Sequence, residues 1–128
     1  MKRLLIFTTI TLIALSSIAQ EKTVPPSPVG NWTVDAPYAP EGFQKSKLTI
    51  KKTEEKYSVE MNFEEIGYVM VGERVSFIDG VFKFGFYVEG EDVTISLKFD
   101  GADKLVGAAL TTGGEIPLTA LRIKPKLN

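Results

Sequence analysis

The chain has 128 residues, 15 basic and 16 acidic side chains, a formal net charge of −1, no His and no Cys. A balanced charge with no basic cluster or stacking platform argues against nucleic acid as a partner. The missing imidazole and thiol exclude Ser-His-Asp and Cys-His catalysis and imidazole-based zinc sites, and without Cys the core alone must stabilise the fold.

Met1-Lys2-Arg3 gives a basic start, residues 4–15 form an apolar run interrupted only by Thr, and Ser17-Ile18-Ala19 supplies small residues at the cleavage positions. This pattern predicts a secretory signal peptide over residues 1–19. Its apolar core is shorter than the ~20 residues of a membrane-spanning helix. The expected protein is therefore secreted or periplasmic, with no stable membrane insertion after cleavage. Residues 20–28 read as an extended leader, because Pro25, Pro26 and Pro28 block helix and central strand alike. Residues 29–124 are expected to form a single β-domain, and residues 125–128 a tail.

Asn31-Trp32-Thr33-Val34 is the first expected strand, followed by a Pro-rich loop over residues 35–42. Residues 47–51 and 57–63 come next, joined by a charged turn at residues 53–56, with Ile50 set against Val59 and Leu48 against Met61. Apolar residues alternate with polar ones in both strands, as in a sheet wet on one side.

The clearest pattern lies further on. Phe82, Phe84, Phe86 and Val88 alternate with polar or small residues in one arm, and Val93, Ile95, Leu97 and Phe99 do so in the next. A type II′ turn at Gly90-Glu91 would pair Val88 with Val93, Phe86 with Ile95, Phe84 with Leu97 and Phe82 with Phe99. Asp79-Gly80 is a type I′ signal that pairs Phe77 with Phe82 and Val75 with Phe84. A Gly-first turn at Gly72-Glu73 would add Met70 opposite Val75 and Tyr68 opposite Phe77. Two rows across four strands are then expected, Tyr68-Phe77-Phe82-Phe99 and Met70-Val75-Phe84-Leu97. Beyond the loop at residues 100–103, two strands flank a Gly113-Gly114 turn. Their inward face is open between Leu105, Gly107, Ala109, Ile116, Leu118 and Ala120 on one reading, and Val106, Ala108, Leu110, Leu121 and Ile123 on the other.

No amphipathic helix appears, and short strands recur at roughly ten-residue spacing. The expected fold is all-β, an antiparallel up-and-down meander of about eight strands forming a small barrel.

Gly30-Asn31-Trp32 resembles the G-x-W signature that opens the first strand of lipocalins and the wider calycin group, and Arg122 falls where those barrels carry an Arg over that Trp. The resemblance implies a calycin-like barrel closed at one end by Gly30, Trp32 and Arg122. The chain lacks the second lipocalin motif and the C-terminal helix. The stretches at residues 100–107 and 115–122 are also similar to the non-catalytic N-terminal β-domain of secreted bacterial α/β-hydrolases.

The carboxylate pairs Glu54-Glu55, Glu64-Glu65 and Glu91-Asp92 read as solvated turn charges. Asp100 and Asp103 offer fewer oxygens than the six to eight typical of Ca²⁺. No cofactor, metal site or catalytic residue is expected. The residues point instead to a barrel interior lined by Tyr68, Phe77, Phe82, Phe84, Phe86 and Phe99, with Tyr38, Phe43 and Tyr57 near its mouth. Such an interior either holds a small apolar or aromatic ligand or is a filled core. The alternative to ligand binding is a protein-interaction module, an inhibitor or enzyme accessory, acting through the loop at residues 35–42 and the exposed Ile78 and Val81.

Overall fold

The computed structural model describes residues 26–125, so the expected signal peptide lies outside the described residues, as do the start of the leader and the last three residues. Among these residues nine antiparallel strands build one sheet: β1 Gly30–Asp35, β2 Lys45–Thr53, β3 Lys56–Phe63, β4 Tyr68–Val71, β5 Glu73–Ile78, β6 Val81–Val88, β7 Glu91–Phe99, β8 Lys104–Thr111 and β9 Gly114–Arg122. A single 3₁₀ turn, Glu64–Ile66, links β3 to β4. The spatial order β4-β3-β2-β1-β9-β8-β7-β6-β5 is a meander joined where β1 meets β9, and it curls into a nearly closed barrel.

Period-two alternation decides which side chains enter. Leu48 and Ile50, Val59 and Met61, Phe82, Phe84 and Phe86, and Val93, Ile95 and Leu97 are all buried. Ile50 lies opposite Val59 and Leu48 opposite Met61, as expected, and Thr53 already pairs with Lys56 so that only Glu54 and Glu55 form the loop. On the last two strands Leu105, Ala109, Leu118 and Ala120 are buried while Leu110 and Leu121 are more than half exposed, which settles the inward face. Position 107 falls on the same face by alternation and is Gly, because a Cβ there would run into the backbone carbonyl of Ser96 on β7. The loop of this hairpin is Thr112-Gly113, with Thr111 opposite Gly114, one residue earlier than the expected Gly-Gly turn.

The central hairpin keeps its faces and changes its partners. Val88 pairs with Glu91, Phe86 with Val93, Phe84 with Ile95 and Phe82 with Leu97, two residues away from the expected register. Glu89 and Gly90 both have positive φ, 51° and 79°, so the turn has type I′ geometry with Gly second. Asp79 and Gly80 form the expected turn of that kind, with φ of 53° and 78°, and Phe77 lies opposite Phe82.

The expected Gly72-Glu73 hairpin does not form. β4 pairs with β3, and the Gly72 N–H continues that ladder by donating to Val59 O at 2.8 Å. β5 pairs with β6, beginning with Glu73 opposite Gly85. The two strands are successive halves of one path that leaves β3 and joins β6, which is how the meander closes on itself. Tyr68 and Met70 therefore face Phe63 and Met61, not Phe77 and Val75, and neither expected four-strand row exists. Gly72 sits at the crossover, where an added Cβ would lie 3.0 Å from Val59 Cβ and 3.3 Å from the Phe84 ring. Just beyond it Arg74 and Val75 together oppose Phe84 in a β-bulge, with Arg74 at φ 53°. The bulge turns the Arg74 guanidinium across Gly85 to Asp92, 2.8 Å away on β7.

Candidate functional site: an apolar cavity at the open end

The two ends of the barrel differ. From one end the rings of Trp32, Phe99, Phe77, Phe82 and Phe84 touch in succession, with centroids 5.7–6.2 Å apart, and Phe84 meets Phe86 at the border of the other half; Tyr57 meets both Phe77 and Phe82 at 5.9 Å. Offset and edge-on contacts of this kind add to the area that the rings bury. The rings fill the interior of this half, and a more open depression of about 510 Å³ lies beside Tyr57 and Phe77, between the start of β3 and β5.

Its outer face is sealed by Arg122. The guanidinium lies over the Trp32 ring at 4.3 Å, and it donates to Val29 O, Ser27 O, Ala102 O and the Asp103 carboxylate at 2.8–3.1 Å. The Trp32 indole N–H donates to Pro28 O at 2.9 Å, so the residues just before β1 are tied into the same end. Gly30 has φ 141°, a conformation that favours glycine, and a Cβ there would lie 3.0 Å from Arg122 Nη1. Asp103 also pairs with Lys124, and Asp100 with Lys104. The two carboxylates of that loop thus have cationic neighbours, and among the described residues no cluster of three His, Cys, Asp or Glu is placed to hold a metal.

The opposite end is open. The β1–β2 loop, the β6–β7 turn and the C-terminal end of β8 surround a cavity of about 190 Å³. Its walls come mostly from aliphatic and aromatic side chains, Val34, Met61, Phe63, Phe86, Ile95 and Leu118 among them, with Phe43 folded in from the loop against Phe63 at 5.1 Å. Space exists because small side chains stand where the filled half has rings: Ala36 and Ala39 at the loop and Ala109 on β8. An apolar cavity of ~150 Å³ is known to stay dry and to accept a benzene ring. The polar groups of the lining are few: Ser46, Thr111, Glu89 and Glu91.

The aromatic residues singled out from the sequence divide between these regions. Phe43 and Phe86 line the cavity. Phe82 and Phe84 are fully buried in the filled half, and Phe77, Phe99 and Tyr57 pack partly exposed against that core. Tyr38 and Tyr68 are exposed, Tyr38 by 78%, and neither lines the cavity. Tyr68 is displaced because its strand runs beside β3 rather than β5.

Glu91, expected only as a solvated turn charge, borders the cavity. It stands in phase with Val93, Ile95 and Leu97, so the alternation that buries those three turns Glu91 toward the cavity mouth. Its Oε1 accepts from the Thr112 hydroxyl and from the Thr112 backbone N–H, both at 2.6 Å. These bonds, the hydroxyl first, hold the carboxyl below its ordinary pKa. Continuing the alternation one step past Val93 would have found it. Asp92 points the other way, to Arg74.

No family model, no curated protein and no solved structure matches the chain.

Proposed function

We propose that the protein is an exported, non-enzymatic barrel that binds a small apolar molecule, aromatic or aliphatic, in its open half. The observation that carries this reading is the division of the barrel into a half packed with rings and a half with an apolar cavity of about 190 Å³ open at its mouth. Sites for small ligands are concave, mostly apolar and furnished with a few placed polar groups. The packed half supplies the stiffness that keeps such a site preformed. The Gly30-Asn31-Trp32 opening and the Arg122–Trp32 stack support a calycin-like reading, and the pattern of residues 1–19 supports export. The absence of His and Cys from the chain supports binding rather than catalysis.

Thermal unfolding in the presence of neutral ring compounds such as indole and toluene tests the reading. A ligand that binds only the folded state at 100 times its Kd stabilises by about 2.7 kcal/mol, a shift of several degrees in Tm for a domain of this size. Ala109→Leu places a larger side chain in the cavity and should remove the shift while the protein stays folded. If no compound of this class moves Tm or perturbs the spectra of cavity residues, the reading fails.

A second reading, a protein-interaction module, draws support from β4. Ile66 in the preceding 3₁₀ turn and Tyr68, Val69 and Val71 on a strand with one ladder neighbour expose 44–67% of their surface. Val69→Lys with Val71→Lys should then abolish capture of one defined partner from envelope extract, and capture unaffected by those changes would count against it.

A further inference from the structure

The charge at the cavity mouth narrows the class of ligand, and the narrowing rests on the ligand-binding reading above. The lining holds two carboxylates, Glu89 and Glu91, and no Lys or Arg. Glu91 occupies an inward-facing strand position, and Thr112 fixes one carboxylate oxygen with two hydrogen bonds of 2.6 Å. Those bonds favour the ionised form, so the mouth carries a positioned negative charge at neutral pH. Ser46 lines the same cavity; it is 8% exposed, the one buried polar side chain among the described residues. An anionic ligand such as a fatty acid would bring its carboxylate against Glu89 and Glu91 with no cation to meet it. A cation would find a fixed oxygen acceptor beside an apolar wall.

We propose that the cavity selects small apolar amines, seating the hydrocarbon body among Phe43, Phe86 and Ile95 and holding the ammonium group at the mouth beside Glu89 and Glu91. The carboxylates act by charge and by accepting ammonium N–H bonds, which are stronger than their neutral counterparts. The rim is wet, so the expected preference is modest.

Three phenyl compounds test this: 2-phenylethylamine, 2-phenylethanol and the slightly larger 3-phenylpropanoate, titrated calorimetrically into the protein at neutral pH. The amine is expected to bind about three- to tenfold tighter than the alcohol, the range for a partly solvated charge pair, and the carboxylate weaker than both. Glu89→Gln with Glu91→Gln should bring the amine to the affinity that the alcohol has for the same variant, and a cooperative urea transition read by Trp32 fluorescence shows that the variant is folded. Added salt should erode the amine preference alone. An amine that binds no better than the alcohol, or a preference that survives the double substitution, overturns the proposal while leaving an apolar binding site in place. Failure of all three compounds, together with indole and toluene, overturns both.

Discussion

Arg122 joins more of the molecule than any other side chain at the closed end. Its fork bonds to Ser27 and Val29 before β1, to Ala102 and Asp103 after β7, and its flat face covers Trp32. A lysine would keep the charge and lose the fork and the stacked plane. Arg122→Lys should therefore lower stability by about 1–3 kcal/mol, with Arg122→Ala lower still, from the loss of charged hydrogen bonds and of the cation–π contact. Trp32 is the only Trp and is fully buried, so its fluorescence during urea unfolding reads the change directly. An Arg122→Lys midpoint equal to that of the wild type would show that charge alone closes this end. Glu91 gives a second residue-level prediction. Because its folded pKa is depressed, its contribution to stability is present above the unfolded pKa and is lost as pH falls through the folded one. Thr112→Val removes the hydroxyl donor and keeps the backbone one, so the Glu91 carboxyl should titrate closer to its ordinary value and the acid limb of stability should flatten at that site. Carboxyl-detected NMR titration measures both proteins. Unchanged titration would mean that the Thr112 hydroxyl does not govern the group.

Strands were legible at the level of faces, because a one-residue slip reverses every side chain and the alternation admits only one choice. Phe84 and Lys83 illustrate it: neighbours on β6, one fully buried and the other exposed. Phe84→Asp places an unpaired charge in the ring stack and should abolish folding, whereas Lys83→Asp should lie within about 0.5 kcal/mol of wild type. Circular dichroism and urea titration distinguish them, and equal tolerance would contradict the assigned faces. Register was less legible, since a two-residue slip preserves every face. Gly90 serves as the first residue of one turn type or the second of another, and both satisfy the pattern of Phe82 to Phe99. Only the positive φ of Glu89 separates them, and nothing in a glutamate announces it. The β4–β5 junction was misread for a different reason. Gly72 resembles a turn glycine, but its function is to let one strand pass over Val59 and Phe84 as it changes partners. That need arises from closing the barrel, a constraint that no local window of sequence contains. The site was hidden in the same way. Aromatic residues drew attention, yet rings mostly fill the core, and the cavity exists where Ala36, Ala39 and Ala109 leave room.

At the scale of the whole barrel, the same face of the same strand should respond oppositely to the same kind of change. Gly107 and Ala109 are two residues apart on β8 and both point inward, toward Leu97 and Ile95 on β7. At Gly107 the strands approach so closely that a methyl group meets the Ser96 carbonyl, which belongs to backbone and cannot swing aside. At Ala109 the side chain borders the cavity, where there is space to extend. Gly107→Ala must displace β7 or β8, and overpacking of this sort costs about 1–3 kcal/mol or more. Ala109→Leu adds apolar volume to unfilled space, and each methylene that becomes buried contributes up to about 0.8 kcal/mol, less whatever distortion the new rotamer imposes. The expected outcome is a lowered urea midpoint for the first variant and an unchanged or raised one for the second. Binding should separate from stability in the second alone, since a protein that is at least as stable would have lost the space that a ligand occupies. If Ala109→Leu is as damaging as Gly107→Ala, the open half is packed as tightly as the closed one, and the division of the barrel into a scaffold and a site is wrong. If it is tolerated and still binds ring compounds with undiminished affinity, the ligand lies elsewhere on the molecule.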